Sequence, residues 1–236
     1  MRTESGSNAT DSHPTARLVL TSSSPYRRAL LERLGVPFTW QAPEVDERPR
    51  PDESPHHLVR RLALTKARAL APHFPSSLLI GSDQVAVIDG TLRGKPGSRE
   101  HAIAQLTAAS GRSVRFLTSV CVLDSSYARY ELEVVPCEVR FRPLRAAQIA
   151  QYIDREQPLD CAGSFRCEGL GIALFEAIDG EDTTALIGLP LIALVGMLTR
   201  AGLDVLAPPA YHDQPRVPRN SLSIDTPLRF NRPSTE

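Results

Sequence analysis

Two lysines stand out in this chain because almost every other positive charge is an arginine. Of the 27 basic residues only Lys66 and Lys95 are lysine. An ammonium group is a compact point charge with three rotatable donors and suits phosphate oxygens, whereas a guanidinium is a broad planar fork. Lys66 lies in the helical segment HHLVRRLALTKARALAPHF, where Leu58, Leu62, Lys66 and Ala69 fall on one stripe. Arg60, Arg61 and Arg68 lie off that stripe. A lysine on an apolar face either extends along its stem to water or meets a buried anion.

Asp83 raises the matching question. In the apolar run LLIGSDQVAVI, the residues Leu79, Gly81, Asp83, Val85 and Val87 share one face by the two-residue period of a strand. A carboxylate there needs a partner: a metal, a cation, a substrate water, or simply an arginine from elsewhere in the fold. Gly81 leaves room for a group to approach the backbone. The loop PEVDERPRPDE carries Glu44, Asp46 and Glu47, which together with Asp83 can supply oxygen ligands to a magnesium ion.

A third element is Ser22-Ser23-Ser24-Pro25-Tyr26-Arg27-Arg28, where a strand turns into a helix. Free backbone N–H groups and hydroxyls point at one spot, and the helix dipole favours an anion there. Arg27 can add a bidentate contact to phosphate, although an ordinary helix cap meets the same pattern. A polyphosphate with a divalent metal satisfies all of these features at once. The matching reaction is attack of water on a phosphoanhydride. Asp83 would orient or deprotonate the water, and Lys66, Lys95 and Arg27 would neutralise charge on the phosphates.

These residues need a scaffold, and the chain predicts one. Strands are expected at 17–21, 38–41, 78–88, 113–124, 129–142 and 171–178, from apolar runs and alternation. Asp89-Gly90 suits a tight hairpin turn. Helices are expected from Ser24-Pro25 to Gly35, from Ser54-Pro55 through the Lys66 segment, and at 98–110, 144–155 and 190–200. The first two start with a serine cap and a proline at the first helical position. Helices interspersed with isolated strands and one strand pair indicate an α/β fold with a mixed sheet. Neither a GxGxxG turn nor a GxxxxGK[ST] loop is present, so any phosphate site uses other means.

Composition narrows the function further. The chain has 236 residues, 42% of them hydrophobic, and a formal net charge of zero, which argues against a broad nucleic-acid footprint. No apolar run approaches the roughly 18 residues of a membrane span. The polar N-terminus lacks the apolar core of a secretory signal, so the protein reads as cytoplasmic. Cys121, Cys137, Cys161 and Cys167 contain no CxxC pair, and reduced, mostly buried thiols are the expectation. Residues 1–16 read as a disordered leader, 17–207 as the folded domain, and 208–236 as a disordered Pro/Arg-rich tail.

In this order and spacing, TSSSPYRRALLERLGVPF, PEVDERP, LVRRLALTKA, IGSDQV and GKP resemble the Maf nucleotide pyrophosphatases, nearest to the branch that hydrolyses 7-methyl-GTP. The likeness runs from Leu18 to Leu206 and takes in CAGSFRCEGLGIALFE and LIGLPLIAL. It implies a mixed curved sheet with flanking helices in two lobes, of the Maf / inosine-triphosphatase-like kind, with the cleft between the lobes, and a homodimer. It also implies cleavage of a nucleoside triphosphate between its α- and β-phosphates with a divalent metal, Mg or Mn. The family's essential polar positions fall on Ser24, Arg27, Glu47, Lys66, Asp83 and Lys95, with Asp83 as proton acceptor. Metal would be held through Glu47 and Asp83. Base choice falls on Tyr26, Gln84 and Glu168. Two alternatives stay open: a Maf pyrophosphatase for other nucleotides such as dTTP or UTP, and a nucleotide-binding regulator of cell division. Gln84 adjoins Asp83 and in a regular strand faces the other way, so a shared pocket calls for a bend or bulge.

Overall fold

The computed structural model describes residues 17–207; the leader and tail expected from the sequence lie outside them. Its centre is a seven-stranded mixed sheet. β1 (Arg17–Leu20) lies parallel to β2 (Phe38–Trp40) and to β3 (Ser77–Ile88). β3 pairs antiparallel with β4 (Thr91–Arg93) through the Asp89-Gly90 turn, and with β5 (Ser113–Asp124). β6 (Arg129–Phe141) and β7 (Phe175–Asp179) extend the sheet antiparallel, giving the order β2-β1-β3-β5-β6-β7.

The helices start where local chemistry dictates. α1 (Pro25–Glu32) and α2 (Pro55–Leu70) each begin with proline behind a serine cap: Ser24 Oγ accepts from Arg27 N, and Ser54 Oγ from His57 N. Ser98 caps α3 (Arg99–Ala109) in the same way. α4 (Ala146–Glu156) and α6 (Leu191–Arg200) follow the predicted spans, and a short α5 (Thr184–Ile187) was not anticipated.

Alternation in β3 and β5 assigns the two faces of the sheet. Leu79, Gly81, Asp83 and Val85, with Leu117, Ser119, Cys121 and Leu123 beside them, face α2. On the other face the buried side chains form two apolar clusters. One gathers Leu78, Ile80, Val120 and Val122 under α1 and α6; the other gathers Ala86, Ile88, Val114 and Phe116 under α3 and α4. Between them lies a polar belt of Ser82, Gln84 and Thr118, and α5 sits on it.

The segment 171–178 departs from expectation. Leu170–Leu174 forms a 3-10 turn, and the strand begins only at Phe175. A Cβ at Gly171 would lie 2.2 Å from the carbonyl oxygen of Arg166, so the chain folds tightly back on itself before it extends. Close approach of two backbones, with no periodicity to announce it, is what turned an apolar run into a turn here.

Candidate active site

A cleft of about 550 Å³ opens along the edge of β3. β5 fills one edge of that strand from Leu78 to Val87. On the opposite edge β1 reaches only Ile80, and β4 begins only at Ala86. The gap from Gly81 to Val85 is therefore bordered by both faces of the sheet, and Asp83 and Gln84 line the same cleft without a bulge in this pairing. The bend or bulge expected for Gln84 is not needed; the end of one strand and the start of another supply the opening.

On the α2 face Lys66 is 5% exposed and Asp83 6%. Lys66 Nζ lies 2.6 Å from Asp83 Oδ1 and 2.8 Å from Glu47 Oε1. The lysine on the apolar stripe thus meets a buried anion, and Glu47 descends from the exposed loop to join it. Burial pushes the Glu47 carboxyl upward, but its bond to Lys66 and the charges of Lys66, Lys95 and Arg27 carry it below its ordinary value. The backbone N–H of Asp83 donates to Ser119 Oγ at 3.3 Å, and that hydroxyl donates to Val59 O at 2.7 Å, tying β3 and β5 to α2. Gly81 does not leave room for a ligand, as the sequence suggested. Its absent side chain admits α2: a Cβ would lie 2.0 Å from Ala63 O, one helical turn before Lys66.

On the other face, Arg27 Nε donates to Gly188 O at 2.8 Å and its Nη1 to Ser22 Oγ at 3.4 Å. Burial pulls the guanidinium below its ordinary value, against the opposite pull of Asp83 and Glu47. Ser82 Oγ donates to the same Gly188 carbonyl at 2.9 Å. Gln84 Nε2 reaches Ala185 O, Leu186 O and Thr118 Oγ1 at 2.8, 3.0 and 3.0 Å. Three acceptors around one nitrogen set the amide orientation and leave Oε1 as the group Gln84 can offer a ligand.

At the far end of the cleft stand Tyr26, Asp160, Arg166 and Glu168. The Arg166 guanidinium lies 5.2 Å from the centre of the Tyr26 ring, and its Nη2 donates to the Tyr26 hydroxyl at 2.6 Å. Burial, helped by Cys161 and Asp160, holds that hydroxyl protonated above its ordinary range, with Arg166 opposing. Lys95 is exposed on the cleft rim. All eight residues expected to act on phosphate or base, with Glu47, line this one cleft. Glu44 and Asp46 do not: Asp46 is exposed and engaged by Arg48 at 2.7 Å. Arg28 lies over Trp40 at 4.6 Å instead of joining Arg27.

Arg166 and the α5 carbonyls were not identified from sequence. Arg166 stands two residues before Glu168 in CAGSFRCEG, which is the one signal that pointed to it. Backbone carbonyls carry no sequence signal at all.

The donor set bears on the implied metal. Among the described residues no group of three or more His, Cys, Asp or Glu converges, which fits neither a zinc site nor an all-protein cage. Glu47 and Asp83 do converge on one point, now held by Lys66 Nζ. Two carboxylates in a cleft also lined by Ser24, Arg27 and Lys95 fit magnesium or manganese, whose remaining ligands would come from water and substrate phosphates. The four cysteines are free, and burial pushes the Cys161 and Cys167 thiols in the cleft up to about 11 and about 12. Thiols held that far above neutrality are poor nucleophiles.

A buried lysine–aspartate pair, a capped helix start with its arginine, and a sheet edge open between two strands define the class. The chain belongs to the Maf family: the family model described as Maf-like protein matches residues 17–201. It is similar to a 7-methyl-GTP pyrophosphatase of Pseudomonas savastanoi pv. phaseolicola (strain 1448A / Race 6), 56% identical over 188 residues covering 80% of this chain and 98% of that protein. A 7-methyl-GTP pyrophosphatase of Chromohalobacter salexigens is 55% identical over 190 residues, covering 80% of this chain and 98% of the other. One from Alcanivorax borkumensis is 53% identical over 196 residues, covering 83% and 98%.

Proposed function

We propose that this chain hydrolyses 7-methyl-GTP to 7-methyl-GMP and pyrophosphate. The observation that carries the reading is the convergence of Lys66, Asp83 and Glu47 at one point of the cleft, with Arg27 on its other wall. It occurs in a chain 53–56% identical to relatives that bear that enzyme's name.

Water attacks the α-phosphorus, the bond from that phosphorus to the bridging oxygen breaks, and the oxygen leaves with pyrophosphate. Asp83 accepts the water proton. Lys66 takes Asp83 Oδ1, so Oδ2 is the oxygen that meets the water. Arg27, Lys95 and the Ser24 end of α1 receive the phosphates and offset the charge that develops on them. A divalent metal held by Glu47 and Asp83 would supply Lewis acidity at the phosphate oxygens.

The base lies toward Tyr26 and Glu168. Guanine methylated at N7 is cationic, and stacking on an aromatic ring adds about 1–2 kcal/mol when desolvated. In the structure Arg166 already places a cation on Tyr26, so the base replaces the guanidinium there. Glu156, 3.7 Å from Arg166 Nη1, stands ready to take it. Glu168 and the Oε1 of Gln84 then accept the N–H donors of the guanine edge. Net neutrality accords with a small-molecule substrate, and among the described residues no helix is long and apolar enough to cross a membrane. The homodimer is part of this reading and is checked by light scattering.

The test is a panel of triphosphates with magnesium or manganese, scored by pyrophosphate release, beside Asp83→Asn. 7-Methyl-GTP should turn over fastest, and the variant should lose about 10²–10⁴-fold. Faster turnover of UTP or dTTP moves the chain to another Maf specificity. Binding without turnover makes it a nucleotide-binding regulator.

A further inference from the structure

Arg27 on the phosphate side and Gln84 on the base side are held by the same short stretch of backbone. Gly188 O accepts from Arg27 Nε at 2.8 Å, and Ala185 O and Leu186 O accept from Gln84 Nε2 at 2.8 and 3.0 Å. The same strip takes Ser82 Oγ at Gly188 O and Thr118 Oγ1 at Ala185 O. Four carbonyl-bound side chains of the polar belt and the helix start thus depend on where residues 185–188 lie. A four-residue helix has too few internal hydrogen bonds to hold that position by itself.

What holds it is Asp182. This carboxylate is 4% exposed and has no ion-pair partner among the described residues. Its Oδ1 accepts from Thr184 N at 2.9 Å and from Thr184 Oγ1 at 2.5 Å, and its Oδ2 accepts from Ile192 N at 2.8 Å. Thr184 Oγ1 in turn accepts from Leu191 N at 2.8 Å. Pro190, at the cap of α6, offers no side-chain hydrogen bond, so the orphan N–H groups of Leu191 and Ile192 are satisfied from Thr184 and Asp182 instead. A carboxylate at a helix N-terminus is also favoured by the helix dipole. The result is a clasp that closes residues 182–192 into one loop, fixed to α6 and carrying the carbonyl strip on its inner side.

We propose that Asp182 and Thr184 are positioning residues of the active site: their clasp sets the aim of Arg27 and Gln84 together, and so couples phosphate binding to base selection. Neither residue lines the cleft. The inference rests on the reading that Arg27 and Gln84 meet the substrate.

The test uses the full chain with Thr184→Val, which keeps the shape but loses the hydroxyl, Thr184→Ser as the conservative rescue, and Asp182→Asn. Each is measured for KM and kcat with 7-methyl-GTP and UTP, for binding of inorganic pyrophosphate by calorimetry, and for thermal midpoint. Thr184→Val should raise KM about tenfold, within what a small misplacement of a binding group costs. It should also weaken pyrophosphate binding and narrow the preference between the two nucleotides, and Thr184→Ser should restore all three. A variant that melts earlier but keeps wild-type KM, pyrophosphate affinity and preference overturns the inference and leaves Asp182 a stability residue. If Asp182→Asn does not fold, the Thr184 pair decides. Failure of the wild type to hydrolyse either nucleotide counts against the enzymatic reading alone, because pyrophosphate binding still reports the aim of Arg27.

Discussion

Asp83 and Gln84 are neighbours in β3 that face opposite layers of the protein and border one cleft. Asp83 Oδ1 meets Lys66 Nζ of α2 at 2.6 Å, and Gln84 Nε2 meets Ala185 O of α5 at 2.8 Å. Their supports share no residue, so their effects should separate. Asp83→Asn should lower kcat by about 10²–10⁴-fold and leave the ratio of 7-methyl-GTP to UTP unchanged, whereas Gln84→Ala should shift that ratio. Steady-state kinetics on both nucleotides decide it. A changed ratio in Asp83→Asn would tie proton transfer and base choice together after all.

Lys66 should not be replaceable by arginine. Its ammonium, buried with Asp83, is shared between Glu47 and Asp83 at 2.8 and 2.6 Å, and a planar fork with five donors is too wide for that point. Lys66→Met leaves the Asp83 charge buried without its partner. The cost is about 3 kcal/mol, the low end for a broken buried pair because the Glu47 side is open to water. Denaturant unfolding reads the loss, and adding Asp83→Asn to Lys66→Met should recover most of it. No recovery in the double variant would mean the lysine acts through its stem.

Gly81→Ala should destabilise the fold and blunt binding at once. The new Cβ would sit 2.0 Å from Ala63 O, a backbone atom that no rotamer change can move aside. Overpacking of this kind costs about 3 kcal/mol. The displaced helix carries Lys66, so activity at a temperature where the variant is still folded should drop as well. Full activity under those conditions would show that α2 relaxes without moving the lysine.

The acid loop should come loose at low pH through Glu53. This carboxylate accepts from Arg61 Nε at 2.6 Å, Arg61 Nη2 at 2.7 Å and Arg50 N at 3.0 Å. The Arg61 hydrogen bond above all, opposed by burial, holds its pKa at about 2 against an ordinary 4.5. A carboxyl lowered on folding stabilises above its unfolded value and loses that contribution as pH falls toward the folded one. The stability gap between wild type and Glu53→Gln should therefore be full near neutrality and shrink between 4.5 and about 2. Urea titrations across that range measure it, and a gap independent of pH would exclude the ion pair as its source.

Base preference should respond to Glu168 and Tyr26 in different ways. Glu168→Gln replaces one acceptor oxygen by a donor and should reduce discrimination between 7-methyl-GTP and the pyrimidine triphosphates. Tyr26→Leu removes the ring and should raise KM for the cationic base about 5–30-fold, the equivalent of a desolvated cation–π contact, and for UTP much less. Equal changes for both nucleotides would remove stacking from the account.

Much of the scaffold was legible because its causes are local. Serine followed by proline starts α1 and α2, alternation marks β5 and β6, and the stripe through Leu58, Leu62 and Lys66 shows which face of α2 is buried. Of the apolar 171–178 run only Phe175 onward is strand, because periodicity carries no record of Gly171 lying against the Arg166 backbone.

By itself the sequence determined which residues were out of place: a lysine and an aspartate on apolar faces, each needing a partner. Those needs follow from burial and charge, which residue type and spacing encode. Only the tertiary structure decided that they are each other's partners, and that Gly81 serves α2 and not a ligand. It also decided that Gln84 reaches the cleft because β1 ends before β4 begins. The carbonyls of Ala185, Leu186 and Gly188 that hold Gln84 and Arg27 are chemically the same as every other carbonyl in the chain. Which of them face a site is set by the path of the backbone, and that path exists only once the sheet, α5 and the Asp182 clasp have formed.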